Sequence, residues 1–153
     1  MTHKVGIDIG NSSVKWYSDF GFGEIPTWRA RVNIKRVVAD SSSQVSEIRW
    51  MDEDLILGQD AVLGKSFMWK TDEEKNDPIN VAFLLLALAR LGIADADIVM
   101  GLPVSTAASK KKVDQVKTVY SGKKEAVIGG RLMKFNIGVS VLPEPLGTYF
   151  SLV

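Results

Sequence analysis

Cysteine is missing from all 153 residues. That excludes disulfides and thiolate metal sites, and it suits a reducing compartment. A charge excess is missing too. Lys and Arg number 19 against 18 Asp and Glu, a formal net charge of +1, and the charges are spread evenly along the chain. The electrostatic footprint of a nucleic-acid or membrane-surface binder is therefore lacking, and direct contact with either is not expected. Long apolar runs are absent: the longest, Val81 to Ala89, falls far short of the roughly 20 residues that cross a bilayer. The opening Met1-Thr2-His3-Lys4 passes at once into strand-like sequence without a signal-peptide pattern. A cytoplasmic location is expected, with one core and room for a small insertion.

What is present is concentrated in residues 4–17. Val5, Ile7 and Ile9, then Val14 and Trp16, stand at alternate positions around a centre of Gly10, Asn11, Ser12 and Ser13. This predicts two strands joined by a tight turn. A turn without bulky side chains admits an anion such as a phosphate close to the backbone, and Ser12 and Ser13 add hydroxyl donors. Asp8 can organise Mg²⁺ through its water shell, and Lys15 can neutralise phosphate oxygens. The spacing Asp-x-Gly-x-x-x-x-Lys puts both at one mouth. An ordinary hairpin with a surface Asp and Lys fits the same residues.

Further along, Asp19 to Glu24 reads as a turn, Ile25 to Val32 as extended structure and Asp40 to Gln44 as a polar loop. Val45–Trp50 and Leu55–Leu57 bracket a hairpin turn, and Gly58 to Ala61 leads into a short helix. Arg29, Arg31, Lys35 and Arg36 form a loose basic cluster, read as charge protecting strand edges. Asp77 and Pro78 start a helix over Ile79–Leu91 that Gly92 ends; it is apolar on nearly every side and must be buried. The apolar strand Ile98-Val99-Met100 suits a sheet interior and ends at Gly101-Leu102-Pro103. Ser105 or Thr106 is then expected to cap a helix to about Tyr120, with Lys110 to Lys112 on its solvated face. Residues 125–128 and 131–135 read as a hairpin about Gly129-Gly130, and Ile137 to Leu142 as a separate last strand. Pro145 fits the first position of a final helix, within which the sequence stops. The order of elements predicts an α/β domain whose ligands sit beyond the strand ends, where Asp8, Gly101 and Glu144 fall.

These stretches carry a resemblance. Residues 4–17 are similar to the first phosphate loop of the actin, sugar-kinase and heat-shock-chaperone ATPase superfamily. Val99-Met100-Gly101-Leu102-Pro103 and Val141-Leu142-Pro143-Glu144-Pro145 resemble, in order and spacing, the strand end and turn of bacterial actin-like proteins of the ParM, plasmid-segregation type. The resemblance implies an α/β fold with a mixed five-stranded-type sheet and helices on both faces, the ribonuclease-H-like half of an actin. It implies a small inserted β-rich subdomain over about 36–71 and a second, C-terminal nucleotide-binding domain outside these residues. It implies ATP or GTP with Mg²⁺ as cofactors, a filament of like subunits, and a DNA-binding adaptor as partner.

Carried over by position, Asp8 is then the Mg²⁺-organising aspartate, and Gly10, Asn11, Ser12, Ser13 and Lys15 are the phosphate contacts. Glu144 orients the water that attacks the γ-phosphate. The departure is that no second Asp-x-Gly phosphate loop and no adenosine-contacting Gly-rich segment occurs, so the chain holds one wall of a cleft and by itself is expected to be inactive. Two other classes fit parts of the sequence: a type III pantothenate-kinase-like enzyme, whose start resembles Asp8-Ile9-Gly10-Asn11-Ser12, and a non-catalytic interaction module.

Overall fold

Alternation of apolar and polar residues builds most of the fold directly. In the computed structural model, which describes residues 2–10, 12–31, 46–63, 67–69 and 78–143, β1 (His3–Ile9) buries Val5, Ile7 and Ile9, while Lys4 and Asp8 on the other face are exposed. It pairs antiparallel with β2 (Ser13–Ser18), which buries Val14 and Trp16 on the same side. The expected opening hairpin is thus present.

The expected turn over Asp19 to Glu24 is corrected. Only Asp19 and Phe20 turn, and β3 (Gly21–Pro26) follows, paired with β2 along its whole length. Its Gly23 serves packing. A Cβ on Gly23 would stand 2.5 Å from Trp16 Cζ2, so the indole lies on the bare backbone of its cross-strand partner.

Strands β4 (Trp28–Arg31), β5 (Glu47–Trp50), β6 (Glu53–Leu57) and β7 (Phe67–Trp69) come next in the chain, with a 3-10 turn over Gly58–Leu63. β5 and β6 form the expected hairpin, turning through Met51 and Asp52 at φ 49° and 62°. Such left-handed geometry at two adjacent residues matches the twist of a two-residue hairpin. Arg49 and Asp54, opposite each other in this hairpin, pair at 3.1 Å.

Helix α1 spans Ile79–Leu91 and ends at Gly92, whose φ of 71° suits a residue without Cβ. Pro78 precedes it; Asp77, expected as its cap, lies outside the described residues. Asn80 to Leu88 are all buried, as an all-round apolar helix requires. The interior strand β8 (Asp95–Leu102) runs parallel to β1 on one side and to β10 on the other.

The helix expected after β8 is broken in two. A four-residue turn of helix, α2 (Val104–Ala107), is followed by α3 (Lys110–Tyr120), whose cap is Ser109: its Oγ accepts from the Lys112 N–H at 3.4 Å. The last two expected strands are one. β10 runs unbroken over Arg131–Pro143, pairing first with β9 (Gly122–Ile128) and then with β8. Asn136, which looks like a break, points to the exposed side, and its N–H donates to the Ala94 carbonyl at 2.8 Å.

Among the described residues the strands form one ten-stranded sheet in the order β3-β2-β1-β8-β10-β9-β5-β6-β4-β7. The mixed sheet with helices is as expected, but the described helices, expected on both faces, lie on one. Val116 and Tyr120 of α3 share a single core cluster with α1, Ile7, Ile98, Met100 and Ile137, so both helices cover the same apolar face. On the opposite face Lys4, Asp8, Lys15, Tyr17, Glu24, Asp97, Asn136 and Ser140 are exposed. No described helix is long and apolar enough to cross a membrane.

Candidate functional site

The β1–β2 turn closes tightly. The Gly10 N–H donates to the Ser13 carbonyl at 3.0 Å. That amide is engaged in the turn. What Gly10 contributes is bare backbone, since a Cβ there would stand 3.0 Å from the Ser13 carbonyl oxygen. The Ser12 carbonyl in turn accepts from the Thr27 N–H at 3.1 Å. Thr27, fully buried at the bend between β3 and β4, thereby ties the turn to the next hairpin. Sequence reasoning passed over Thr27, whose role depends on a bend that no local motif announces. Ser12 is exposed and Ser13 half-buried, so the first hydroxyl is open to a ligand and the second partly so. Asn11 lies outside the described residues.

The two charged residues of the stretch meet as their spacing suggested. Asp8 and Lys15 are directly opposed across β1 and β2, a pairing that brings Cβ atoms to roughly 5 Å. Both are exposed on the open face. Lys15 is also directly opposite Glu24 of β3, and its Nζ lies 3.9 Å from Glu24 Oε2. Glu24 is a member of the site that the sequence reading missed, because β3 was taken for a turn.

Parallel pairing brings the other expected pieces alongside. β1, β8 and β10 point the same way, with Ile7 opposite Met100 and Leu142 opposite Gly101. Asp8, Gly101 and Leu142 therefore lie near the carboxyl ends of three adjacent parallel strands, where ligands of open α/β sheets bind. Gly6, Gly101 and Gly138 have the strand parity of the open face, and the Asp97 carboxylate lies against Gly138. Glu144, the expected water-orienting residue, follows the last residue of β10 but lies outside the described residues.

The donor set described at the turn is compatible with a hydrated cation. Among the described residues no three His, Asp or Glu side chains gather as a metal cluster. One exposed carboxylate, Asp8, beside a polar turn is what outer-sphere Mg²⁺ needs, because that ion keeps several waters. A groove beside α3, lined by Lys110, Lys111 and Asp114 among others, belongs to a helix on the opposite face of the sheet from Asp8.

Comparison with known proteins agrees with this geometry. The profile described as "Actin like proteins N terminal domain" matches residues 6–147. A search of curated protein sequences finds no significant match. Among solved structures, the apo psk41 ParM protein superposes with a TM-score of 0.71 at 20% identity, covering 96% of this chain and 51% of that one. An AlfA filament bound to AMPPNP gives 0.64 at 18% identity, covering 97% and 57%. Ta0583, an archaeal actin homolog, gives 0.71 at 21% identity, covering 97% and 47%. The chain thus spans about half the length of these relatives. With that family profile matched along nearly its whole length, the chain belongs to the actin-like proteins, as their N-terminal domain.

Proposed function

We propose that this domain is the phosphate-binding half of a filament-forming, nucleotide-binding actin-like ATPase that acts in plasmid segregation or cytoskeletal positioning in the cytoplasm. A second domain completes the cleft. The observation that carries the reading is the pairing of Asp8 with Lys15 beside a turn whose backbone is bare at Gly10, at the carboxyl end of a parallel strand. Family membership adds the nucleotide, and the AlfA relative was seen as a filament with AMPPNP. The small strands β5, β6 and β7, between β4 and α1 in the chain, belong on this reading to the inserted subdomain of about 36–71.

Each side chain has a separate task. Lys15 carries a full positive charge on a flexible stem and offsets the negative charge of phosphate oxygens. Ser12, Ser13 and Asn11 donate hydrogen bonds to the same oxygens and fix their orientation. Asp8 accepts from the water shell of Mg²⁺, which when bound neutralises charge on the β- and γ-phosphates. Glu144, held between Pro143 and Pro145, orients the attacking water and accepts its proton. Hydrolysis needs water excluded and the base and ribose held, and both depend on the second domain. Like subunits are the partners in a filament, and a DNA-binding adaptor would couple it to cargo.

The test is nucleotide titration of the gene product that carries these residues, with and without Mg²⁺, followed by pelleting of filaments. Tight Mg²⁺-dependent ATP or GTP binding together with nucleotide-dependent pelleting supports the proposal. Absence of nucleotide binding refutes it, and binding without filaments leaves a soluble kinase-like enzyme instead.

A further inference from the structure

Glu24 is the one charged member of the site that neither the motif nor the spacing singles out. The register places it in a row with the other two. Asp8 on β1, Lys15 on β2 and Glu24 on β3 are directly opposed in sequence across three strands, all exposed on the open face. Lys15 therefore stands between two carboxylates. Its ion-pair contact among the described residues is with Glu24, at 3.9 Å, and not with Asp8.

This contact is long, and both side chains are well hydrated, at 60% and 57% exposure. Such a pair is weak and exchanges easily. Its position matters more than its strength. A phosphate arriving at the Gly10–Ser13 turn must draw the Lys15 ammonium away from Glu24, and it meets the negative charge of Glu24 as it does so. When the phosphate leaves, the same carboxylate is at hand to take the ammonium back, so Lys15 does not swing across to Asp8 and neutralise the cation-organising group.

We propose that Glu24 is the resident counter-ion of Lys15, a positioning residue that competes with bound phosphate for the ammonium and so eases release of the anion. The inference rests on the reading of Lys15 as a phosphate ligand. Because Glu24 also repels the incoming anion, its effect does not fall as the ligand's charge rises: a triphosphate feels it at least as strongly as a diphosphate.

The experiment is a double-mutant cycle on the gene product that carries these residues, titrated with Mg·ATP and Mg·ADP at low and high salt. Parent, E24Q, E24D, K15A and the E24Q/K15A double variant are compared. E24Q keeps the shape and removes the charge, so both nucleotides should bind about two- to fivefold more tightly, the scale of one exposed ion pair, with a gain for Mg·ATP at least as large as for Mg·ADP. The gain should shrink with added salt. E24D, which keeps the charge, should behave as the parent. In the K15A background, replacing Glu24 by Gln should have little effect. Unchanged or weaker binding in E24Q overturns the proposal, as does an equal gain in the presence and absence of Lys15. If K15A itself leaves nucleotide affinity unchanged, the phosphate-ligand reading of Lys15 falls first, and that outcome is distinguishable from failure at Glu24 alone.

Discussion

Replacing Lys15 by alanine should separate the site from the fold. Lys15 stands on the open face, 60% exposed, and its ion pair with Glu24 is 3.9 Å long. An exposed pair of that kind contributes between about 0 and 1 kcal/mol to stability. Its neighbours in β2, Val14 and Trp16, do the burying, and they stay in place. Alanine has a lower strand preference than lysine by only a fraction of the roughly 1 kcal/mol that the whole scale spans. The fold should therefore lose less than about 1 kcal/mol, as read from urea unfolding. Nucleotide binding should lose more, because a charge-assisted hydrogen bond to phosphate contributes about 1–3 kcal/mol. That predicts an affinity roughly 5- to 150-fold weaker by calorimetric titration of the gene product that carries these residues. Arginine at the same position should recover part of the loss, since it restores the charge with a different geometry. Equal nucleotide affinity in parent and variant, or an unfolding loss as large as the binding loss, refutes the assignment.

Other expectations follow from the same framework. Gly23→Ala should cost about 1–3 kcal/mol and shift tryptophan fluorescence, because the new methyl lands 2.5 Å from the Trp16 ring, which is 7% exposed and part of the core; unaltered stability would show that the ring has room to move. Glu144→Gln in the gene product that carries these residues should slow phosphate release by about 10²-fold or more with affinity nearly unchanged, the range for loss of a positioned base, and filaments should outlive those of the parent. Parental hydrolysis, or joint loss of binding and hydrolysis, would return Glu144 to a turn residue.

The parts of the fold legible in the sequence are those where one residue type settles the structure. Alternation in Val5, Ile7 and Ile9 against Val14 and Trp16 gives the first hairpin, and with it the opposition of Asp8 and Lys15, because a tight turn fixes the register. Helix α1 is legible because Ile79 to Leu91 is apolar throughout and Gly92 stops it. What was not legible depends on tertiary contact. Gly21 and Gly23 look like punctuation, yet Gly23 is a strand residue whose missing side chain makes room for Trp16. That one misreading also hid Glu24, since its place opposite Lys15 exists only if β3 exists. Asn136 looked like the end of a strand, but on the exposed side of a sheet a polar residue interrupts nothing, and the Ala94 carbonyl takes its N–H. That Ser109 and not the expected Ser105 or Thr106 caps the helix turned on where the chain leaves Pro103, which no local propensity decides.

The central claim is that phosphates of a nucleotide settle at the turn between β1 and β2, within reach of Asp8 and Lys15. Amide chemical shifts of the 153-residue chain, followed while Mg·ATP is added to millimolar concentration, test it most directly, because they report weak binding residue by residue. The account predicts weak, saturable binding, since the base and ribose lack their contacts. Shifts should be largest at Gly10, Ser12, Ser13 and Lys15, smaller at Gly101 on the neighbouring strand, and lost from this set in Lys15→Ala. Shifts centred on the groove beside α3, or none at the turn when the nucleotide is in millimolar excess, would contradict it.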